Sequence, residues 1–304
     1  MKRHLVFIHG RSQEHKSASA LKAEWLESLG VGLAKSNLRL PIPPEQVHFP
    51  YYGDTLFDLD GGKSGGEVAQ IIVRGNTDDQ AEQRFARDVL ADILAETLRQ
   101  GLITDAEVAA VAGQDVIVRG PLNWPATLAV LKAMDRYVPF ASGASIALFT
   151  HDVHLYLSNV GVREEIDRGV TSALPPGAET VVVSHSLGTV VAYHLLRRLN
   201  NAHCQIPLLV TLGSPLGVGP IRRALLAELP PLRFPGGVGF WFNALDPRDV
   251  VALYPLDAAH FAVEPATPPI LNKCDVSNRT SNRHGISGYL EDPEVARRIY
   301  EALA

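Results

Sequence analysis

The chain has 304 residues, of which 46% are hydrophobic and 20% charged, and a net charge of −5. That length and balance suit one large globular domain with a sizeable core; they exclude a disordered chain and do not require a second domain. Apart from Lys2-Arg3 at the N-terminus, basic pairs occur at Arg197-Arg198, Arg222-Arg223 and Arg297-Arg298, each on what reads as a helix surface, so no nucleic-acid partner is expected.

In chain order, Leu5-Val6-Phe7-Ile8 reads as a buried strand that ends in the turn His9-Gly10-Arg11-Ser12. The apolar run is too short for the core of a signal peptide, and no stretch is long enough to cross a bilayer, so a cytoplasmic chain is expected. Cys204 and Cys274 lie far apart without metal-like spacing and read as reduced thiols. Leu21, Trp25, Leu26 and Leu29 then recur at helical spacing. Pro41, Pro43 and Pro44 break the chain, and Val47-His48-Phe49 reads as a second strand, parallel to the first across a helical crossover.

From residue 55 to 176 the pattern changes, and this span is expected to be a mainly helical insertion within the single domain 1–304. It opens on a Gly-rich loop in which Gly62-Lys63-Ser64 echoes a phosphate loop, but Phe57 stands where the first glycine is required and no strand leads in. One helix is predicted through Phe85, Val89, Ile93, Leu94 and Leu98, ending near Gly101; others are predicted over 125–137 and 146–157. Their apolar faces, with Leu128, Leu131, Met134 and Phe149, are expected to form a helical cap over the strand ends; the alternative, that they complete the core layers, is not separated from it by spacing. His151-Asp152-Val153-His154 has no further ligand cluster near it, so no metal is expected, and no cofactor motif is identified.

Alternation of strand and helix resumes at Thr180. The run Val181-Val182-Val183-Ser184-His185-Ser186-Leu187-Gly188-Thr189-Val190-Val191 is a β-branched strand turning through Ser186 into a helix. A serine at such a corner projects above the sheet edge and needs small neighbours two positions away on each side, here Ser184 and Gly188. The competing interpretation is a buried strand followed by a helix with a serine cap. Strands are then predicted within 207–215 and 239–243, with a helix near 221–229 between them. Asp292-Pro293 announces a final helix, the aspartate as cap and the proline in the first turn. Alternating strands and helices imply an α/β fold whose predominantly parallel sheet carries helices on both faces.

A serine hydroxyl becomes a useful nucleophile only with a base in hydrogen-bond reach and a carboxylate orienting that base. Asp246-Pro247-Arg248-Asp249-Val250-Val251 places two carboxylates after a strand. Asp249 is favoured as the orienting acid because the apolar pair behind it can anchor the loop, whereas Asp246, before proline, suits turn initiation. His284, in the loop before the last helix and beside Gly285, is the candidate base. His260 and His185 are weaker candidates, the latter because its ring must point away from the serine. For the oxyanion, the Leu187 amide is one candidate donor and the Arg11 amide the second, with Gly10 permitting close approach. Gly213-Ser214-Pro215 lacks the elbow's flanking pattern and reads as part of the site's rim.

His9-Gly10, Ser184-His185-Ser186-Leu187-Gly188, Asp249 and His284 together resemble the α/β-hydrolase superfamily, most of all its cytoplasmic serine esterases and lipases, over the whole chain. The resemblance implies an N-terminally truncated α/β-hydrolase fold lacking the antiparallel edge. It also implies acyl transfer to Ser186, followed by hydrolysis through His284. A small-molecule or lipid acyl ester is the expected substrate. A thioesterase, an acyltransferase or a catalytically silent binding protein on the same scaffold are the alternatives.

Overall fold

Strand β1 (His4–Ile8) forms where apolar residues follow one another without a polar alternate, the composition of a strand covered on both faces. The computed structural model describes residues 2–10, 17–53, 80–112, 136, 143–199, 204–281 and 283–304. Helix α1 (Ala18–Ala34) is capped by the Ser17 hydroxyl and leads through a 3-10 turn (Pro44–Gln46) to β2 (Val47–His48). After it come helices α2 (Gln80–Arg99), α3 (Asp105–Ala112), α4 (Gly143–Ser158) and α5 (Val160–Ser172). The remainder is β3 (Thr180–His185), α6 (Leu187–Arg198), β4 (Leu209–Leu212), α7 (Gly219–Glu228), β5 (Trp241–Ala244), β6 (Leu271–Lys273), α8 (Ile286–Leu290) and α9 (Pro293–Leu303). Asp292 caps α9 by accepting from the Glu294 and Val295 amides, as the Asp-Pro pair predicts.

The six strands form one open sheet in the order β2-β1-β3-β4-β5-β6, and every pairing is parallel. Successive side chains alternate between two apolar layers. Leu5, Phe7, Val181, Val183 and Val210 pack with Trp25, Leu29 and Leu33 of α1 and with Val295 and Ile299 of α9. On the other face Val6, Ile8, Val182 and Leu209 join Val190 and Val191 of α6, with Val89 and Ile93 of α2, Phe149, Val153 and Tyr156 of α4, and Ile166 of α5. The described helices between 80 and 172 therefore complete a core layer. The rest of the insertion, including Gly62-Lys63-Ser64 and all of the expected helix over 125–137 except Arg136, lies outside the described residues.

Three elements carry no clear sequence signal. Strand β6 has three residues at a half-exposed edge, too short for alternation to register. Helix α3 is eight residues long, and α5 is a mostly polar amphipathic helix, capped by the Asn159 side chain, with only Val162, Ile166 and Val170 as its apolar face. Among the described residues, no helix is long and apolar enough to cross a membrane, and both Cys204 and Cys274 are free thiols.

The chain leaves β1 toward β2 on one side and returns to β3 on the other. That reversal opens a crevice at the carboxyl ends of β1 and β3, the place where open parallel sheets hold their ligands. His9-Gly10 and Ser186 both emerge there, from strands paired Ile8 to Ser184.

Candidate active site

Ser186 sits between β3 and α6 with φ +56° and ψ −128°, a conformation that side chains other than glycine's disfavour, at a cost of about 1–3 kcal/mol. The surroundings hold it there. Its amide donates to the Leu212 carbonyl at 3.1 Å, and its carbonyl accepts from the Thr189 amide at 2.9 Å and the Thr189 hydroxyl at 2.7 Å. The buried Ser214 hydroxyl lies 2.9 Å from the Thr189 hydroxyl and ties this turn to the end of β4. Ser214, read from sequence as rim, is thus part of the support beneath the turn.

Two glycines allow the strands and helix to close on this corner. A Cβ on Gly188 would lie 2.4 Å from the Ile8 carbonyl oxygen and 2.5 Å from that of His9; a Cβ on Gly10 would meet the Ser186 Cβ at 2.8 Å. Backbone carbonyls of a central strand cannot swing aside. Gly188→Ala is therefore expected to lift α6 from β1 and to destabilise the fold by about 1–3 kcal/mol, seen as a lower urea midpoint with an unchanged m value. A midpoint equal to the wild type's would show that the contact gives freely.

His284 bridges the serine and a carboxylate. Its Nε2 is 2.8 Å from Ser186 Oγ, and its Nδ1 is 2.7 Å from Asp249 Oδ2. Of the two carboxylates after β5, Asp249 is the one that meets His284. It is fully buried, and its charge is met by three donors: the Val251 amide on Oδ1 at 3.0 Å, and the Tyr289 hydroxyl at 2.6 Å and His284 Nδ1 on Oδ2. A buried carboxylate needs such partners to remain charged. Burial, with the Asp249 charge beside it, pushes the Tyr289 phenol well above its ordinary value, so it remains a donor. Val250 and Val251 are buried behind the loop.

Asp246 is equally buried but faces backbone amides and the Arg283 guanidinium, whose Nη1 lies 3.7 Å from Oδ2. Its Oδ1 accepts from the Arg248 amide two residues on, an Asx turn, and its Oδ2 accepts from the Asn278 amide, both at 2.8 Å. Asn278 in turn donates from Nδ2 to the Gly285 carbonyl at 2.8 Å and accepts on Oδ1 from the Thr280 amide and hydroxyl. Asp246 thus secures the loop that carries His284.

Leu187 is the first residue of α6, so its amide has no carbonyl within the helix to bond and stands at the positive end of the helix dipole. The Arg11 amide lies outside the described residues. His9 is buried at the turn before it, with Nδ1 2.6 Å from the Gly10 carbonyl and Nε2 accepting from the Tyr52 amide at 3.1 Å. The Tyr52 hydroxyl closes a further short bond onto the His9 carbonyl.

No protein-family model and no curated protein matches this chain. The remaining sequence candidates take other partners: His260 Nδ1 bonds Asp257, and His151 pairs with Glu82 while His154 lies against Phe85. Among the described residues no group of three or more histidine, cysteine or carboxylate side chains is arranged to hold a metal ion.

Tyr289, Asn278 and Thr189 carry no spacing signal as members of the site, and His185, a weaker candidate for the base, takes a different place in it. The His185 ring Nε2 reaches the His284 carbonyl at 2.7 Å, a contact no local pattern announces. The tyrosine three positions before the capping Asp292 looks like ordinary helix core until its hydroxyl is seen on Asp249.

Proposed function

We propose that this chain is a serine hydrolase of the α/β-hydrolase superfamily that cleaves carboxylic esters of small-molecule or lipid acyl groups through an acyl-enzyme on Ser186. The observation that carries this reading is the hydrogen-bonded relay from Ser186 Oγ through His284 to the buried Asp249, with the serine on a strained strand-to-helix corner. Ser186 Oγ attacks the acyl carbonyl carbon while His284 Nε2 takes its proton, and Asp249 stabilises the imidazolium by accepting from Nδ1. The Leu187 amide receives the oxyanion, with the Arg11 amide as the expected second donor. Collapse of the tetrahedral intermediate breaks the bond to the alkoxy oxygen, which leaves as the alcohol with the proton from Nε2. Water, deprotonated by the same nitrogen, then attacks the acyl-enzyme and releases the acid with Ser186 restored. Two free thiols suit work in the cytoplasm.

A fluorophosphonate probe should label the wild type on one peptide, that containing Ser186, and p-nitrophenyl esters should turn over faster than acyl-CoA. Preference for acyl-CoA would make the chain a thioesterase. No labelling of a folded protein would leave the scaffold as a binding protein.

A further inference from the structure

We propose that His185 is a positioning residue for the base: its ring Nε2–H holds the His284 backbone carbonyl and locks the base loop onto the elbow that carries Ser186. The proposal rests on the hydrolase reading for its kinetic consequence, but the geometry it describes stands apart from turnover.

The bond is 2.7 Å long, and it joins two residues 99 positions apart. A carbonyl oxygen only accepts, so Nε2 must carry a proton. Burial, with His284 close by, pushes the His185 imidazole well below its ordinary value, so the ring stays neutral and does not repel the cation that forms on His284. The ring has little room to leave. Its centroid is 4.7 Å from that of His284, Trp25 presents an edge at 6.2 Å and Tyr289 lies at 6.0 Å, while a Cβ on Gly10 would come within 3.4 Å of its Nδ1.

His284 is consequently held at three atoms: Nδ1 by Asp249, Nε2 by Ser186 and the carbonyl oxygen by His185. The first two set the ring; the third sets the backbone from which the ring hangs. The residue that supplies it immediately precedes the nucleophile, so one short segment of chain sets the placement of both reacting groups. Displacing a catalytic group by about 1 Å can cost about a hundredfold in rate.

A space-filling role for the ring makes a different prediction from a donor role. His185→Phe keeps the bulk and removes the donor, whereas His185→Gln keeps a donor at the position of Nε2. The expected result is a kcat for His185→Phe about ten- to a hundredfold below wild type at unchanged KM, with His185→Gln recovering most of the loss. NMR provides a readout independent of turnover. The low-field His284 Nδ1–H proton bonded to Asp249 should be sharp in the wild type and His185→Gln and broadened in His185→Phe. The wild-type imidazole 15N shifts should show His185 as the neutral Nε2–H tautomer, a measurement that needs no variant to fold. An Nδ1–H tautomer, or a His284 proton equally sharp in His185→Phe, overturns the proposal. Failure of the fluorophosphonate to label the wild type would sink the hydrolase reading alone and leave the NMR test of His185 intact.

Discussion

Ser186→Ala and His284→Ala should each lower kcat/KM for an ester substrate by about 10⁶-fold, and the double variant should be no slower than either. The reason lies in the relay. In the proposed mechanism the hydroxyl and the imidazole, 2.8 Å apart, act as one unit, so removing either leaves the other with nothing to do. What survives is the contribution of binding and the oxyanion donors, about 10³- to 10⁴-fold over water. Neither change should disturb the fold much: the Ser186 side chain is small, and the loop around His284 is held through Asn278, Thr280 and the His284 carbonyl rather than through the lost ring. Steady-state kinetics with a p-nitrophenyl ester, beside a thermal unfolding curve, check this. A folded His284→Ala protein with full activity would remove His284 from the mechanism.

The second large effect separates the two carboxylates. Asp249→Asn should reduce kcat by about 10⁴-fold, because the amide's single oxygen cannot accept at both carboxylate positions, so its NH2 faces either the Val251 amide or the His284 and Tyr289 donors, and a neutral amide stabilises no imidazolium. The change touches a fully buried atom that accepts from both His284 and Tyr289, so the tautomer and the position of the base are affected together. Asp246→Asn should act differently. It weakens the bonds to the Arg248 and Asn278 amides that shape the base loop, costing about 1–3 kcal/mol of stability with a rate loss well under that of Asp249→Asn. Urea denaturation and kcat measured on both variants distinguish a catalytic from an architectural carboxylate, and a larger rate loss for Asp246→Asn would reverse the assignment.

Much of the frame was legible from local pattern. Unbroken β-branched and apolar runs marked β1 and β3, helical spacing marked α1, α2 and α6, and the Asp-Pro pair marked the start of α9. Each signal lies within a few residues, which is the range over which burial of one face and capping of one end act. Strand β6 and helices α3 and α5 escaped because their apolar content is too small or too short for periodicity; packing against neighbours holds them instead.

For the site, the sequence by itself determined the corner at Ser186, the small residues Ser184 and Gly188 around it, and the order serine, carboxylate, histidine along the chain. It also placed Asp249 ahead of Asp246, through the apolar pair that buries its loop. Only the tertiary structure decided which carboxylate touches His284, since both aspartates are completely buried and differ in what faces them. Only the fold brought in Tyr289 behind Asp249 and His185 behind the base. The cause is the register of a parallel sheet: Ser186 and His284 are 98 residues apart, and their distance is set by the pairing of β1, β3, β4 and β5 and by the loops leaving one edge of the sheet. No window of neighbouring residues contains that information. The elbow is a local property of the chain, while the relay belongs to the sheet that gathers it.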